Sequence, residues 1–129
     1  MSDNLRRYHC AIRDALMPAY PTPPTGNFAR QVQTLAALIS GIVGSKSTQL
    51  PTIATKVPDG TKPESRVKRF ARWVDNDHIL EEVYFLPCAD VLLRHLALQT
   101  LGLVMDGSGV GRGCTALMIH VVYKGRALP

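Results

Sequence analysis

Residues 101–123 read LGLVMDGSGVGRGCTALMIHVVY. Leu101 to Met105 is a short apolar run, and Cys114 to Tyr123 is a longer one rich in β-branched side chains. Continuous apolar runs bounded by glycine clusters read as strands buried on both faces. The eight residues from Asp106 to Gly113 connect them, so an antiparallel hairpin is expected. Gly107, Gly109, Gly111 and Gly113 alternate through this connection. A phosphate loop would need Gly-Lys-Ser or Gly-Lys-Thr opening a helix, and a dinucleotide fingerprint would also need a helix to follow. The connection therefore reads as a flexible turn, with Arg112 exposed or within reach of phosphate.

Upstream of Leu101 the period is helical. Tyr8, Ile12, Ala15 and Leu16 predict a short helix over residues 1–17, followed by a turn-rich stretch holding Pro18, Pro21, Pro23, Pro24 and Gly26. Val32, Leu35, Ala36, Ile39 and Ile42 fall on one face and predict a helix from Phe28 to Val43, stopped at Gly44. Leu50, Ile53, Ala54 and Val57 predict a shorter helix capped by Ser47 or Thr48, with Pro51 in its first turn. Pro58-Asp59-Gly60 is a turn, and Thr61-Lys62-Pro63-Glu64 reads as a capping box. The helix it opens turns Val67, Phe70, Ala71 and Val74 inward and ends at Asp75-Asn76-Asp77. A fourth stretch covers Ile79 to Phe85, breaks at Pro87 and resumes from Ala89 to Leu98.

Charge is unevenly placed. Residues 1–76 carry eleven Lys or Arg against five Asp or Glu, whereas residues 77–129 carry four against five. The chain's net charge of +5, with a sequence pI of about 9.4, is thus +6 in the first part and −1 in the second, and a phosphate backbone would be attracted to the first. Lys62, Arg66, Lys68, Arg69 and Arg72 crowd onto the helix after the Pro-Asp-Gly turn. With the apolar positions turned inward, these cations cover its outward face. Helix, turn and basic helix have the order of a helix-turn-helix, whose second helix enters the major groove. On spacing alone, a solvated face and a DNA-binding face fit equally, and the charge asymmetry favours DNA. Trp73, at helical spacing among the cations, reads as partly buried core rather than a base-stacking platform.

Asp106 closes the first apolar run. A carboxylate there is costly unless it is solvated, paired or bound to a cation. Metal-dependent phosphoryl transfer needs such groups, because carboxylates hold the two divalent ions, about 3.5–4 Å apart, that activate the attacking oxygen and stabilise the leaving one. An Asp-Gly at a strand end is also a common turn residue. His120 lies in the second strand on the face of Cys114, Ala116 and Met118 and reads as a hydrogen-bonded core histidine. Cys10, Cys88 and Cys114 are too few and too scattered for a disulfide framework or a zinc site and read as reduced thiols. Residues 1–30 contain no apolar signal-peptide core, and Gln31 to Ser45 is too short to span a membrane.

The segment from Leu103 through Asp106-Gly-Ser to Lys124-Gly-Arg-Ala-Leu-Pro129 resembles the opening of the catalytic domain in DDE-type insertion-sequence transposases. The upstream part, from Ser47 through Thr-Gln-Leu-Pro-Thr-Ile-Ala to Arg66-Val-Lys-Arg-Phe-Ala-Arg-Trp73, is similar to that family's DNA-binding region. The resemblance implies an RNase H-like fold, DNA strand cleavage and transfer, and Mg²⁺ as the cofactor. Asp106 matches the first acidic position and would be both catalytic and metal-binding. The second Asp and the Glu are expected downstream of Pro129, so the chain is expected to be inactive alone.

The expected fold is α+β: a helical, helix-turn-helix-like region followed by the first β-hairpin of a truncated RNase H-like domain. The expected division is 1–27, an N-terminal helix and Pro-rich linker; 28–86, a DNA-binding region; and 87–129, an incomplete catalytic domain. The expected function is that of a transposase fragment that binds transposon-end DNA through Lys62, Arg66, Lys68, Arg69 and Arg72. Double-stranded DNA is the expected partner, with self-association through the apolar hairpin, and with no membrane or small-molecule substrate. The expected location is the bacterial cytoplasm, at the nucleoid. Two alternatives stay open: a non-catalytic DNA-binding fragment that interferes with the full enzyme, and a helical module that docks on an acidic protein.

Overall fold

The computed structural model describes residues 2–96 and 102–128. It is α+β. Among the described residues, six α-helices precede one three-stranded antiparallel sheet. The helices are α1 (Ser2–Leu16), α2 (Gly26–Ser45), α3 (Leu50–Ala54), α4 (Pro63–Val74), α5 (Glu81–Tyr84) and α6 (Leu86–Leu96), and the strands are β1 (Gly102–Gly109), β2 (Thr115–Tyr123) and β3 (Arg126–Leu128). The chain divides into two compact units, Met1–Ala89 and Asp90–Pro129. No described helix is long and apolar enough to cross a membrane.

In the first unit α2 is the spine. Ala37 and Leu38 pack with Ile53 and Ala54 of α3, with Val57 of the connection after it and with Phe70 of α4, and Trp73 rests against this cluster. One and a half turns earlier, Val32 packs with Tyr20 and Tyr84, joined by Phe28. The aromatic rings meet edge to face: Tyr20–Phe28 at 5.1 Å, Phe28–Tyr84 at 5.3 Å and Trp73–Tyr84 at 6.3 Å between centroids. The Tyr20 hydroxyl donates to the Tyr84 carbonyl at 3.0 Å and ties the proline-rich stretch to α5. Gly41 lets α2 and α3 touch. A Cβ there would lie 2.5 Å from Ile53 Cγ2 and 2.9 Å from the Ile53 carbonyl oxygen.

Several local expectations are corrected. Helix α2 runs past Gly44 to Ser45 and ends on Lys46, whose left-handed backbone (φ 54°) directs its N–H to the Ile42 carbonyl. Its buried face is displaced toward Ser40 and Gly41, leaving Ile42 exposed. Ser47 does not cap α3; its hydroxyl accepts from the Gln49 N–H, and Gln49 is the cap residue without a side-chain bond. The capping box at Thr61 does not form. Pro63 fixes the first helical φ of α4 and holds Lys62 extended before it, so the helix begins one residue too late for Thr61 to serve. Val74 is 60% exposed because α4 ends there. Helix α3 has only five residues and is separated from α4 by residues 55–62, longer than the three- or four-residue link of a tight helix-turn-helix. Pro87 does not break a helix but sits in the first turn of α6, where no N–H is needed. The expected end of that helix at Leu98 lies outside the described residues.

In the second unit the strand order is β1-β2-β3. Strand β1 continues through Asp106, Gly107 and Ser108 to Gly109, which pairs with Thr115. The turn is thus only residues 110–114, closed by Val110 N–H to the Cys114 carbonyl at 2.9 Å. The expectation that strand one ended at Met105 was wrong because small residues carry little strand signal, while their backbones pair as well as any. Its expected first residue, Leu101, lies outside the described residues. Lys124 and Gly125 both have positive φ (48° and 73°), as a two-residue type I′ hairpin requires, and they return the chain as β3. The strands are not buried on both faces: every residue of β1 is exposed, with Leu103 67% and Leu117 64% exposed.

Candidate nucleic-acid interface

Helix α4 is amphipathic with Phe70 at its centre, fully buried. The five sequence-predicted cations on it do not share one environment. Lys62 is the exposed N-terminal cap, and Lys68 is exposed one and a half turns on. Arg72 is exposed in the last turn, and Arg69 is partly exposed between them. Arg66 is corrected: it is 6% exposed and faces inward. Its Nη1 donates to the Ala54 carbonyl at 2.7 Å, its Nε to the Asp59 carboxylate and its Nη2 to the Asp59 carbonyl. The guanidinium thereby satisfies the end of α3 and the turn before α4 together.

Asp59 is the counter-charge. It accepts from Arg66, from Arg69 Nη2 at 3.1 Å and from the Thr61 N–H at 3.0 Å. Burial alone would raise its pKa, but the Arg66 hydrogen bond, the Thr61 N–H, the Arg66 charge and Arg69 together hold the carboxyl below the usual carboxylate range. Arg69 has a second loyalty. Its Nε is enclosed without a hydrogen-bond partner among the described residues, and its guanidinium lies 5.3 Å from the Phe70 ring centroid.

Arg69 and Arg72 meet a cation that the sequence reading missed. Arg30, exposed on α2, lines an open hollow of about 340 Å³ with both of them, together with Asn27, Trp73 and Asn76. Trp73 is fixed as part of the wall: its Nε1 donates to the Gln31 carbonyl at 3.1 Å, and its ring abuts Tyr84. It packs against the core, as its helical spacing suggested, and is not a free stacking surface. The signal for this hollow was present as a polar stripe, Asn27, Arg30 and Thr34, at helical spacing on an otherwise apolar helix. A second hollow of about 500 Å³ shares Arg30, Thr34 and Arg69 and adds His9 and Arg13 from α1.

Asp106 lies in the other unit, within β1, opposite Met118 and on the strand face of Val104 and His120. It is exposed, so its charge is accommodated by solvent. His120 departs from its expected hydrogen-bonded state, since its Nδ1 is enclosed without a partner among the described residues. Among the described residues no three His, Cys, Asp or Glu side chains gather closely enough to hold a metal. Cys10, Cys88 and Cys114 are free thiols. No family model, curated protein or solved structure matches the chain.

Proposed function

We propose that the helical unit binds duplex DNA through Arg30, Arg69 and Arg72, flanked by Lys62 and Lys68, as the end-binding part of a DDE-type transposase. In this reading β1–β3 are the opening strands of an RNase H-like sheet, and Asp106 is its first catalytic carboxylate. The observation that carries the reading is the convergence of three arginines from two helices on one open hollow, with amide side chains of Asn27 and Asn76 beside them. Guanidinium groups grip phosphate oxygens in pairs, and such contacts position a protein on DNA without reading its sequence. Arg66 serves the interface indirectly, by fixing the turn from which α4 departs.

The resemblance of residues 103–129 to the family supports the catalytic assignment, and the β1-β2-β3 meander is compatible with it. Mg²⁺ would supply the charge that stabilises attacking and leaving oxygens. Asp106 offers it one ligand. One carboxylate does not fix two ions, so in this reading Asp106 needs further acidic partners. The test is an anisotropy titration of a labelled duplex. Arg30→Ala and Arg72→Ala should each weaken binding, while Asp106→Asn should leave it unchanged. The reverse pattern would move the DNA contact off the helical unit, and salt-insensitive binding would favour the protein-docking alternative.

A further inference from the structure

The second hollow joins Arg30 and Arg69 to groups that the DNA-binding reading does not use, His9, Arg13 and Asp59. Arg13 and His9 reach it from α1, Arg30 from α2, Asp59 from the turn before α4 and Arg69 from α4 itself. Three guanidinium groups face one carboxylate, so the hollow keeps an excess of positive charge after Asp59 is counted. Asp59 is in addition shared with Arg66, which leaves it less able to neutralise the others. Among the described residues Arg13 is engaged by Asp14, its sequence neighbour, in an exposed ion pair of the kind that contributes little. Arg69 has an enclosed Nε with no partner among the described residues. The site is therefore rich in donors and poor in acceptors.

His9 stands among these charges. Burial lowers its pKa, Arg13 and Arg69 lower it further, and Asp59 opposes them in part. Within α1, Arg6 precedes it by three residues and adds to the same sign of charge on that helix. Left empty, the hollow keeps the imidazole neutral at neutral pH. An anion lodged between the guanidinium groups reverses the local field and makes the imidazolium favourable.

We propose that the hollow between α1, α2 and α4 is an anion site that takes one phosphate group between Arg13, Arg30 and Arg69, with His9 as a proton-gated fourth donor. It rests on the DNA-binding reading only through Arg30 and Arg69, which line both hollows; Arg13 and His9 line this one alone. The shared chemistry is a phosphate, either a backbone phosphodiester of the bound duplex or a free phosphate. Because His9 gains its proton with the anion, binding takes up protons and tightens as pH falls through the histidine range.

The experiment uses the full chain and inorganic sulfate, a dianion whose own charge is constant across that range, titrated calorimetrically at about pH 5.5 and about pH 8. Sulfate should bind, and bind at least about threefold more tightly at the lower pH. Arg13→Ala should weaken it by about tenfold and Arg13→Lys by less, because Lys retains the charge but not the fork. His9→Gln should retain binding and lose its pH dependence. Arg72→Ala, which touches only the first hollow, should leave sulfate binding intact while weakening duplex binding. If Arg13→Ala also weakens the duplex, the phosphate is the backbone's; if it leaves the duplex unaffected, the site serves a free phosphate. No sulfate binding by the wild type at millimolar concentrations, or binding indifferent to Arg13→Ala in a variant with unchanged helicity, would overturn the site. Persistence of the pH dependence in His9→Gln would overturn the gate.

Discussion

Asp59 and the buried Arg66 form an ion pair across the turn that leads into α4, and the same carboxylate also takes the Arg69 guanidinium. Because Arg66 also donates to the Ala54 carbonyl, it locks α3, the turn and α4 into one arrangement. Removing it leaves two carbonyls and a carboxylate short of donors. Arg66→Ala should therefore cost about 2–4 kcal/mol of stability, between a lost charged hydrogen bond and a broken buried pair. Its DNA binding, measured where the variant is still folded, should keep the wild-type salt slope, because Arg66 does not reach phosphate. Urea unfolding and a salt titration check the two halves separately.

Acid should weaken the fold by way of two groups. His9 has a lowered pKa, so the folded chain resists protonation that the unfolded chain accepts; that stability is present above the ordinary histidine pKa and is lost as pH falls below it. Asp59 has a lowered pKa, so its contribution is present above the ordinary carboxylate pKa and is lost as pH falls further. Thermal melts in an anion-poor buffer should show two successive declines. His9→Gln should remove the first and Asp59→Asn the second. A melting temperature flat down to the carboxylate range would contradict the assignment of His9.

Gly41 offers a sharp test of packing. Alanine is the better helix former by about 1 kcal/mol, but the added Cβ would collide with Ile53, including its carbonyl oxygen, and overpacking typically costs about 1–3 kcal/mol. Collision wins because the obstacle includes backbone. Gly41→Ala should lower the urea midpoint, whereas a rise would show that α2 and α3 can part cheaply.

Much of the helical unit was legible in the sequence because its signal is periodic. Val32 and Ala36 on α2 and Phe70 on α4 fall where helical spacing puts them, inside. Arg66 was not legible, since its partner Asp59 lies seven residues back across a turn and a charged residue has no pattern that announces burial. Arg30 was hidden as a single cation in an apolar helix, and Arg13 and His9 by lying in a helix whose neighbours are distant in sequence. In the sheet, apolar runs disclosed the strands. Gly107 and Gly109 concealed the length of β1, so Asp106 belongs inside the strand rather than at its end.

The open sheet carries its own consequence. Leu103, Met105, Leu117 and Ile119 share one face, and all are more than half exposed. A face of that kind promotes association. The 129-residue chain should sediment as a concentration-dependent oligomer, and replacing Leu117 and Ile119 with Thr should shift it toward monomer without weakening duplex binding. A monodisperse monomer at high concentration would contradict this.

The most direct test is the salt dependence of duplex binding by the wild-type chain beside an Arg30→Ala/Arg72→Ala double variant. Each phosphate contact contributes about 0.9 to the slope of log affinity against log salt. The wild-type slope should be about −3 to −5, falling in magnitude by about two in the double variant. Equal slopes for the two proteins, or no duplex binding even at low salt, would contradict it.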